Sequence, residues 1–451
     1  LVRDTDWSSP DADPSEAAIG FAPVWLVACN VMGVLLGYAI TIQLARTLTR
    51  GDFEHYIGAI ATLGLLASVG EAGFGKYGLK ALPDFMVRGR GDLIGGYLRF
   101  AIAGTLLVSS ALAIVVIVFE RSVHAQAASE VMDLGLAFLP AMALMGVSID
   151  LMLAFRFASS ATTIARVLVP AITLLAITWL NHSLVLTSRL AVLSFVAGSC
   201  IGMLIATTWS IIIGRQYSRQ LSPAMALPTW VSSGLTFMGI GFLTSWFFKA
   251  TLVITHHMPH IDSQVALLGP AMETGGLILL LSKSTDKYFQ PMIAVMIRTQ
   301  DWRQALSMRR GRRRFMILGI AVFLGFVFLA GRKLLGLYGD GFEEAYPAMC
   351  IVAIGSSVWT YFSLAPHYLL FSGARRRLQA AMIVHAIVLL VLTVGLFRTH
   401  GIIGAAIAYA VTITSLALTN AYLAGRRLQK VLSAGPMTTD SSQASSNERS
   451  Q

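Results

Sequence analysis

The sequence runs to 451 residues, 55% hydrophobic and only 13% charged, with a mean hydropathy of +0.69 and a formal net charge of +11. A soluble domain carries about 25% charged residues, and this much apolar surface cannot be hidden in one water-soluble core. The composition excludes a soluble catalytic domain and implies an all-α integral membrane protein.

A bilayer crossing needs about 20 mostly apolar residues. In chain order such runs fall near 22–45, 55–73, 93–118, 132–155, 164–181, 190–213, 231–255, 264–282, 315–331, 347–371, 378–397 and 401–424, which predicts about 12 transmembrane helices. Ahead of them, residues 1–20 are polar and acidic (Asp4, Asp6, Asp11, Asp13, Glu16). They lack the basic start and short apolar core of a cleaved signal peptide, so the first span is expected to be a retained helix. The expected organisation is a cytoplasmic polar tail (1–20), an N-terminal six-helix bundle (21–213), a cytoplasmic linker (214–230), a C-terminal six-helix bundle (231–425) and a disordered cytoplasmic tail (426–451), rich in Ser, Thr, Gln and Asn.

Lys and Arg positions decide what the positive charge is for. With alternating loops and the N-terminus inside, 23 Lys and Arg flank the spans on the cytoplasmic side, among them Lys76, Arg166, Arg215, Arg309 to Arg314 and Arg375 to Arg377. Seven flank them outside: Arg46, Arg50, Arg121, Arg189, Arg332, Lys333 and Arg398. This is the positive-inside bias, and it places both termini in the cytoplasm. The Arg309 to Arg314 cluster reads as topogenic and anionic-lipid-binding rather than as a nucleic-acid site. Cys29, Cys200 and Cys350 all fall in apolar spans without metal-ligand spacing and read as small buried hydrophobes.

The halves repeat. The string PAM opens the fourth span at Pro140 and the tenth at Pro347, and Asp52 opens the second span much as Asp262 opens the eighth. Pro83 is followed by Asp92 and Pro291 by Asp301, each across a basic stretch. The shifts agree at 207 to 210 residues, so a 6+6 duplication is expected, with two parallel-repeat bundles and a cavity between them.

Four stretches carry a family resemblance: LARTLTRGDFEHYIGAI at 44–60, FQPMIAVMIRTQDWRQAL at 289–306, FSGARRRLQAAMIV at 371–384 and GIIGAAIAYA at 401–410. They resemble the polysaccharide (Wzx-type) flippases of the MATE-like exporter superfamily. That resemblance implies a MATE-like fold in a bacterial inner membrane, working as a monomer by alternating access without a cofactor. The implied cargo is a polyprenyl-diphosphate-linked oligosaccharide. Membrane lipids, a polysaccharide polymerase and chain-length machinery are the implied partners. The family's arginine at the outer end of the first span falls on Arg46, whose alternative reading is an interfacial anchor.

Charge inside the hydrocarbon is costly and is usually kept for function or paired. Lys249, in the seventh span, is the one cation expected deep in a span, and Glu273 of the eighth lies at a similar depth. They are expected either to pair or to serve the cargo, with Lys249 meeting a diphosphate and Glu273 holding and releasing a cation. Asn30 is a neutral amide in the middle of the first helix, where the resemblance implies an acid in multidrug members. It bonds either a sugar or a neighbouring helix. Glu71 and Asp150 read as solvated inner helix ends, and His367 and His385 as satisfied buried histidines. The segment HHMPHID offers His256, His257, His260 and Asp262, but Pro259 breaks the helical spacing a metal site would use, so no metal is expected. Two other classes remain as alternatives. One is a small-molecule exporter of the same fold; the other is a membrane-embedded polymerase or glycosyltransferase, against which the short external loops and missing nucleotide or metal motifs speak.

Overall fold

The computed structural model describes residues 22–123, 130–218, 222–258, 264–283, 285, 286, 289, 293 and 302–433, and among these every regular element is helical. The two polar tails, residues 259–263 and most of 287–301 lie outside the described residues, and with them His260, Asp262, Pro291 and Asp301.

By internal contacts the chain divides into Leu1–Phe242 and Leu243–Gln451. The first unit holds α1 (Ala22–Thr47), α2 (Arg50–Gly70), α3 (Phe74–Val87), α4 (Gly91–Val123), α5 (Glu130–Ala137), α6 (Leu139–Ala154), α7 (Ala158–Thr163), α8 (Val169–Ser183) and α9 (Ser188–Tyr217). The division falls inside α10 (Leu227–His256). The second unit continues with α11 (Gln264–Gly275), α12 (Trp302–Gly336), α13 (Tyr346–Phe362), α14 (Ala365–Phe371) and α15 (Arg375–Ser433).

Among the described residues nine helices are long and apolar enough to cross a bilayer, ten if the bent pair α5 and α6 is one span. The chain is a multi-pass membrane protein. Three of the expected runs take a different form here. Residues 264–282 are cut after Gly275 by a turn over 276–278, so that run is too short to pass as one helix. The runs 378–397 and 401–424 form one element, α15, which leaves helical geometry at Gly401 (φ 56, ψ −139).

Several ends follow from local chemistry. Thr49 caps α2 by accepting from the Asp52 backbone N–H at 3.1 Å, and Ser188 Oγ at the start of α9 donates to Asp52 Oδ1 at 2.9 Å, pinning two helix ends together. Pro140 and Pro347 stand in the first turns of α6 and α13, where a missing N–H is tolerated.

The same break recurs in both units. α2 ends at Gly70 and α11 at Gly275, 205 residues apart, and each is followed by a three-residue turn before the chain resumes a helix. α6 and α13 begin at Leu139 and Tyr346, 207 apart. Each helix end leaves carbonyls without a partner in its own helix. Tyr97 Oη donates to Phe74 O beside the first break, and Thr360 Oγ1 donates to Ile278 O at 3.4 Å beside the second.

Around the first break lies the main aromatic core of the first unit. Trp230 packs against Tyr97 and Phe100 with ring centroids 5.2 and 5.4 Å apart, and Phe74 meets Phe100 at 4.7 Å. Gly73 has φ +68, and a Cβ there would overlap Gly234 O and Met238 N of α10, so only glycine fits both the turn and the approach.

Candidate functional site

The four residues singled out from the sequence fall in two places. Asn30 and Arg46 lie on α1 in the first unit, Lys249 and Glu273 on α10 and α11 in the second. Asn30 and Arg46 are 16 positions apart, roughly 24 Å along a helix, so one diphosphate cannot touch both.

α1 packs along one seam. Trp25 Nε1 donates to Thr163 Oγ1 at 3.0 Å, Cys29 Sγ lies 3.5 Å from the same hydroxyl, and a Cβ on Gly33 would stand 2.6 Å from Arg166 O. These positions, spaced by four, share one face. Asn30 is one step off the seam and half-buried; its Nδ2 donates to Leu26 O of its own helix at 2.7 Å. Arg46 is exposed in the last turn of α1, where a cation complements the helix dipole.

In the second unit the buried face of α10 is Phe247, Ala250 and Thr251, and Trp246 Nε1 ties the helix to α15 by donating to Ala386 O at 3.2 Å. Lys249 lies off that face, half-buried, seven residues or roughly 10 Å from the helix end. Glu273 lies between Pro270 and the break after Gly275, half-buried on a helix whose neighbours Met272 and Thr274 are buried. Lys249 and Glu273 are both engaged by surrounding groups. Proline-interrupted, broken spans are where transporters of known architecture form binding sites, and Glu273 is the charged side chain at this one.

The structure corrects several readings of the charged residues. Lys249 is not alone inside a helix. The span expected at 164–181 begins earlier, at Ala158, which puts Arg166 eight residues or roughly 12 Å into it rather than at its mouth. Arg99 likewise lies eight residues into α4. Residues Ile164–Leu168 around Arg166 form a π-turn in which Val169 N–H bonds Ile164 O. Pro170 explains it: in an α-helix Arg166 O would accept from residue 170, which has no N–H, so the ladder widens instead. π-turns concentrate at functional positions. Arg166 is exposed, and no carboxylate partners it among the described residues. The proline four positions on was the sequence signal for it.

Asp150 is not a solvated helix end. It is only 4% exposed and is held by Lys76 Nζ at 2.8 Å from each carboxylate oxygen, while Gly75 leaves room for the carboxylate, since a Cβ there would lie 2.7 Å from Oδ2. Desolvation of the partly exposed Lys76 ammonium would lower its pKa; the charge and hydrogen bond of Asp150 together with the charge of Glu71 outweigh it and hold the group above the usual lysine value. Arg312, read with its neighbours as a surface cluster, is buried, with 6% of its surface exposed. It donates to Asp286 Oδ1 and to Ser363 Oγ, each at 2.7 Å, and Ser363 Oγ donates to Asp286 Oδ1 at 3.0 Å. Arg313 keeps an outer position, over the Tyr361 ring at 5.6 Å. His367 and His385 are half-buried with ring nitrogens on backbone carbonyls, at 3.2 Å from Ser363 O and 2.8 Å from Ala381 O.

This arrangement of helices has known counterparts. No family model matches the sequence, and no curated protein matches it. Among solved structures, an inward-facing multidrug resistance MATE family transporter of the MOP superfamily superposes with a TM-score of 0.70 at 12% identity, over 92% of this chain and 99% of that one. The lipid II flippase MurJ in an inward closed conformation gives 0.65 at 13% identity, over 90% of each chain. A mutant of the Vibrio cholerae MATE transporter VcmN gives 0.62 at 13%, over 92% and 98%. The chain therefore has the fold shared by MATE transporters and MurJ.

Proposed function

We propose that this protein is a flippase that moves a polyprenyl-diphosphate-linked oligosaccharide from the cytoplasmic to the outer leaflet of a bacterial inner membrane by alternating access, serving exopolysaccharide, capsule or O-antigen assembly. A fold shared with a lipid II flippase supports a lipid-linked cargo. The observation that carries the reading is the sign of the charge held inside helices: Lys249 and Arg166 are cations within spans, while the first helix carries the neutral Asn30. A cation in the hydrocarbon costs several kcal/mol and is retained for a purpose, and a diphosphate is the anion it would serve. In this reading Lys249 meets the diphosphate and Glu273 holds and releases a cation as the protein cycles. Arg46 and Asn30 meet headgroup and sugar from the first helix, and Arg166 adds a second anion contact.

Lys249→Ala is expected to reduce surface polysaccharide without reducing the amount of protein in the membrane. Normal polymer would remove Lys249 from the mechanism. Reduced membrane abundance would assign it to a structural pair.

A second reading, export of small molecules, is favoured by the higher TM-score to a multidrug MATE structure and by the acid Glu273 at a broken span. It predicts that loss of the gene sensitises cells to cationic drugs and leaves surface polysaccharide intact.

A further inference from the structure

A groove on the first unit, separate from the residues assigned to the cargo, is built for a different ligand. It lies between the first half of α4 and the last turns of α9 and has a volume of about 460 Å³, within the range of small-molecule sites. Arg99 and Arg215 both line it; Leu98, Ile102, Leu106 and Ile211 supply apolar wall. From Gly95 to Leu106 it follows α4 for 11 residues, roughly 16 Å. The two helices meet closely at its mouth, where a Cβ on Gly95 would stand 3.1 Å from Ser218 Cβ.

The two arginines have no counter-charge of their own. Both are exposed, and among the described residues neither guanidinium has a hydrogen-bond or ion-pair partner. α9 contains no acidic residue. Asp92, the acid in the first turn of α4, is already occupied by Arg90 through bonds of 2.9 and 2.8 Å. Arg215 is in the last turn of α9 and Arg99 two turns into α4, at the ends the distribution of Lys and Arg places on the cytoplasmic side. Two uncompensated cations at that depth, above a long apolar trough, match a phosphate headgroup with an acyl chain below it.

We propose that this groove binds an anionic glycerophospholipid of the inner leaflet, with the phosphate between Arg99 and Arg215 and one acyl chain along α4. The site is independent of the cargo proposed above.

The test uses the full chain in detergent, with phosphatidylglycerol and phosphatidylcholine of identical acyl chains as probes and retention read by native mass spectrometry. The wild type retains phosphatidylglycerol preferentially. At about 1 kcal/mol per basic residue near a membrane surface, Arg99→Gln and Arg215→Gln each reduce that preference about five-fold, and the Lys variants keep most of it. Thermal melting of each variant without lipid establishes that it is folded, and an unfolded Gln variant is replaced by the single Lys variant titrated against both lipids. Equal retention of the two lipids by the wild type, or undiminished preference in the folded double Gln variant, would overturn the proposal. Tighter retention of a polyprenyl phosphate than of phosphatidylglycerol would assign the groove to the carrier lipid and overturn it as well.

Discussion

Removing Asp286 should strongly destabilise the second unit. The Arg312 side chain is 5% exposed and spends two of its contacts, both at 2.7 Å, on Asp286 Oδ1 and Ser363 Oγ, while its Nε already has no partner. Asp286→Ala leaves a buried guanidinium facing one hydroxyl. Deleting one member of a buried ion pair costs about 3–5 kcal/mol. At about 2–4 °C per kcal/mol for a unit of this size, the melting temperature in detergent, followed by fluorescence-detected size exclusion, should fall by about 6–20 °C. The double variant Asp286→Ala with Arg312→Met should recover most of that loss, because an apolar replacement of a buried pair is close to neutral. A single variant that melts within about 2 °C of wild type, or a double variant as unstable as the single, would refute the assignment of this knot as a buried structural pair.

Three further outcomes follow from the geometry. Gly75→Val should lower the melting temperature through a loss of about 1–3 kcal/mol, the usual range for overpacking, because its Cβ begins 2.7 Å from Asp150 Oδ2 and the branched chain displaces the Lys76 contact; unchanged melting would contradict the packing around Asp150. Gly73→Ala should reduce folded protein in the membrane, since φ +68 costs a non-glycine residue about 1–2 kcal/mol before the overlap with Gly234 O is counted; wild-type abundance and melting would count against the close approach of α10. Pro170→Ala supplies the missing N–H to Arg166 O, so the π-turn should relax and turn the Arg166 side chain; a spin label introduced by Arg166→Cys should report a changed environment in that background, and identical spectra would remove Pro170 as the cause.

The apolar runs were legible in the sequence because hydropathy is a local pattern. PAM at Pro140 and Pro347 marks real helix starts, whereas the break after Gly275 interrupts a run that hydropathy alone reads as continuous. What stayed hidden was long-range or depended on where a helix begins. Lys76 and Asp150 are 74 positions apart and Asp286 and Ser363 are 77 apart, so each polar group was readable only as a helix end or a basic flank until folding joined them. Arg166 was misplaced by six residues of helix, Ala158 to Thr163, whose small polar side chains hide a helical start from hydropathy. Arg99 sat in plain view inside an apolar run; its meaning comes from Arg215, on a helix far along the chain.

A lipid-linked oligosaccharide cargo is tested by translocation in proteoliposomes. Protein reconstituted with a fluorescent polyprenyl-diphosphate oligosaccharide should bring the label within reach of a membrane-impermeant quencher in the opposite leaflet, and Lys249→Ala should slow that transfer at equal incorporation. Vesicles in which the lipid-linked sugar stays put while a cationic dye is carried across would contradict the account and establish the exporter instead.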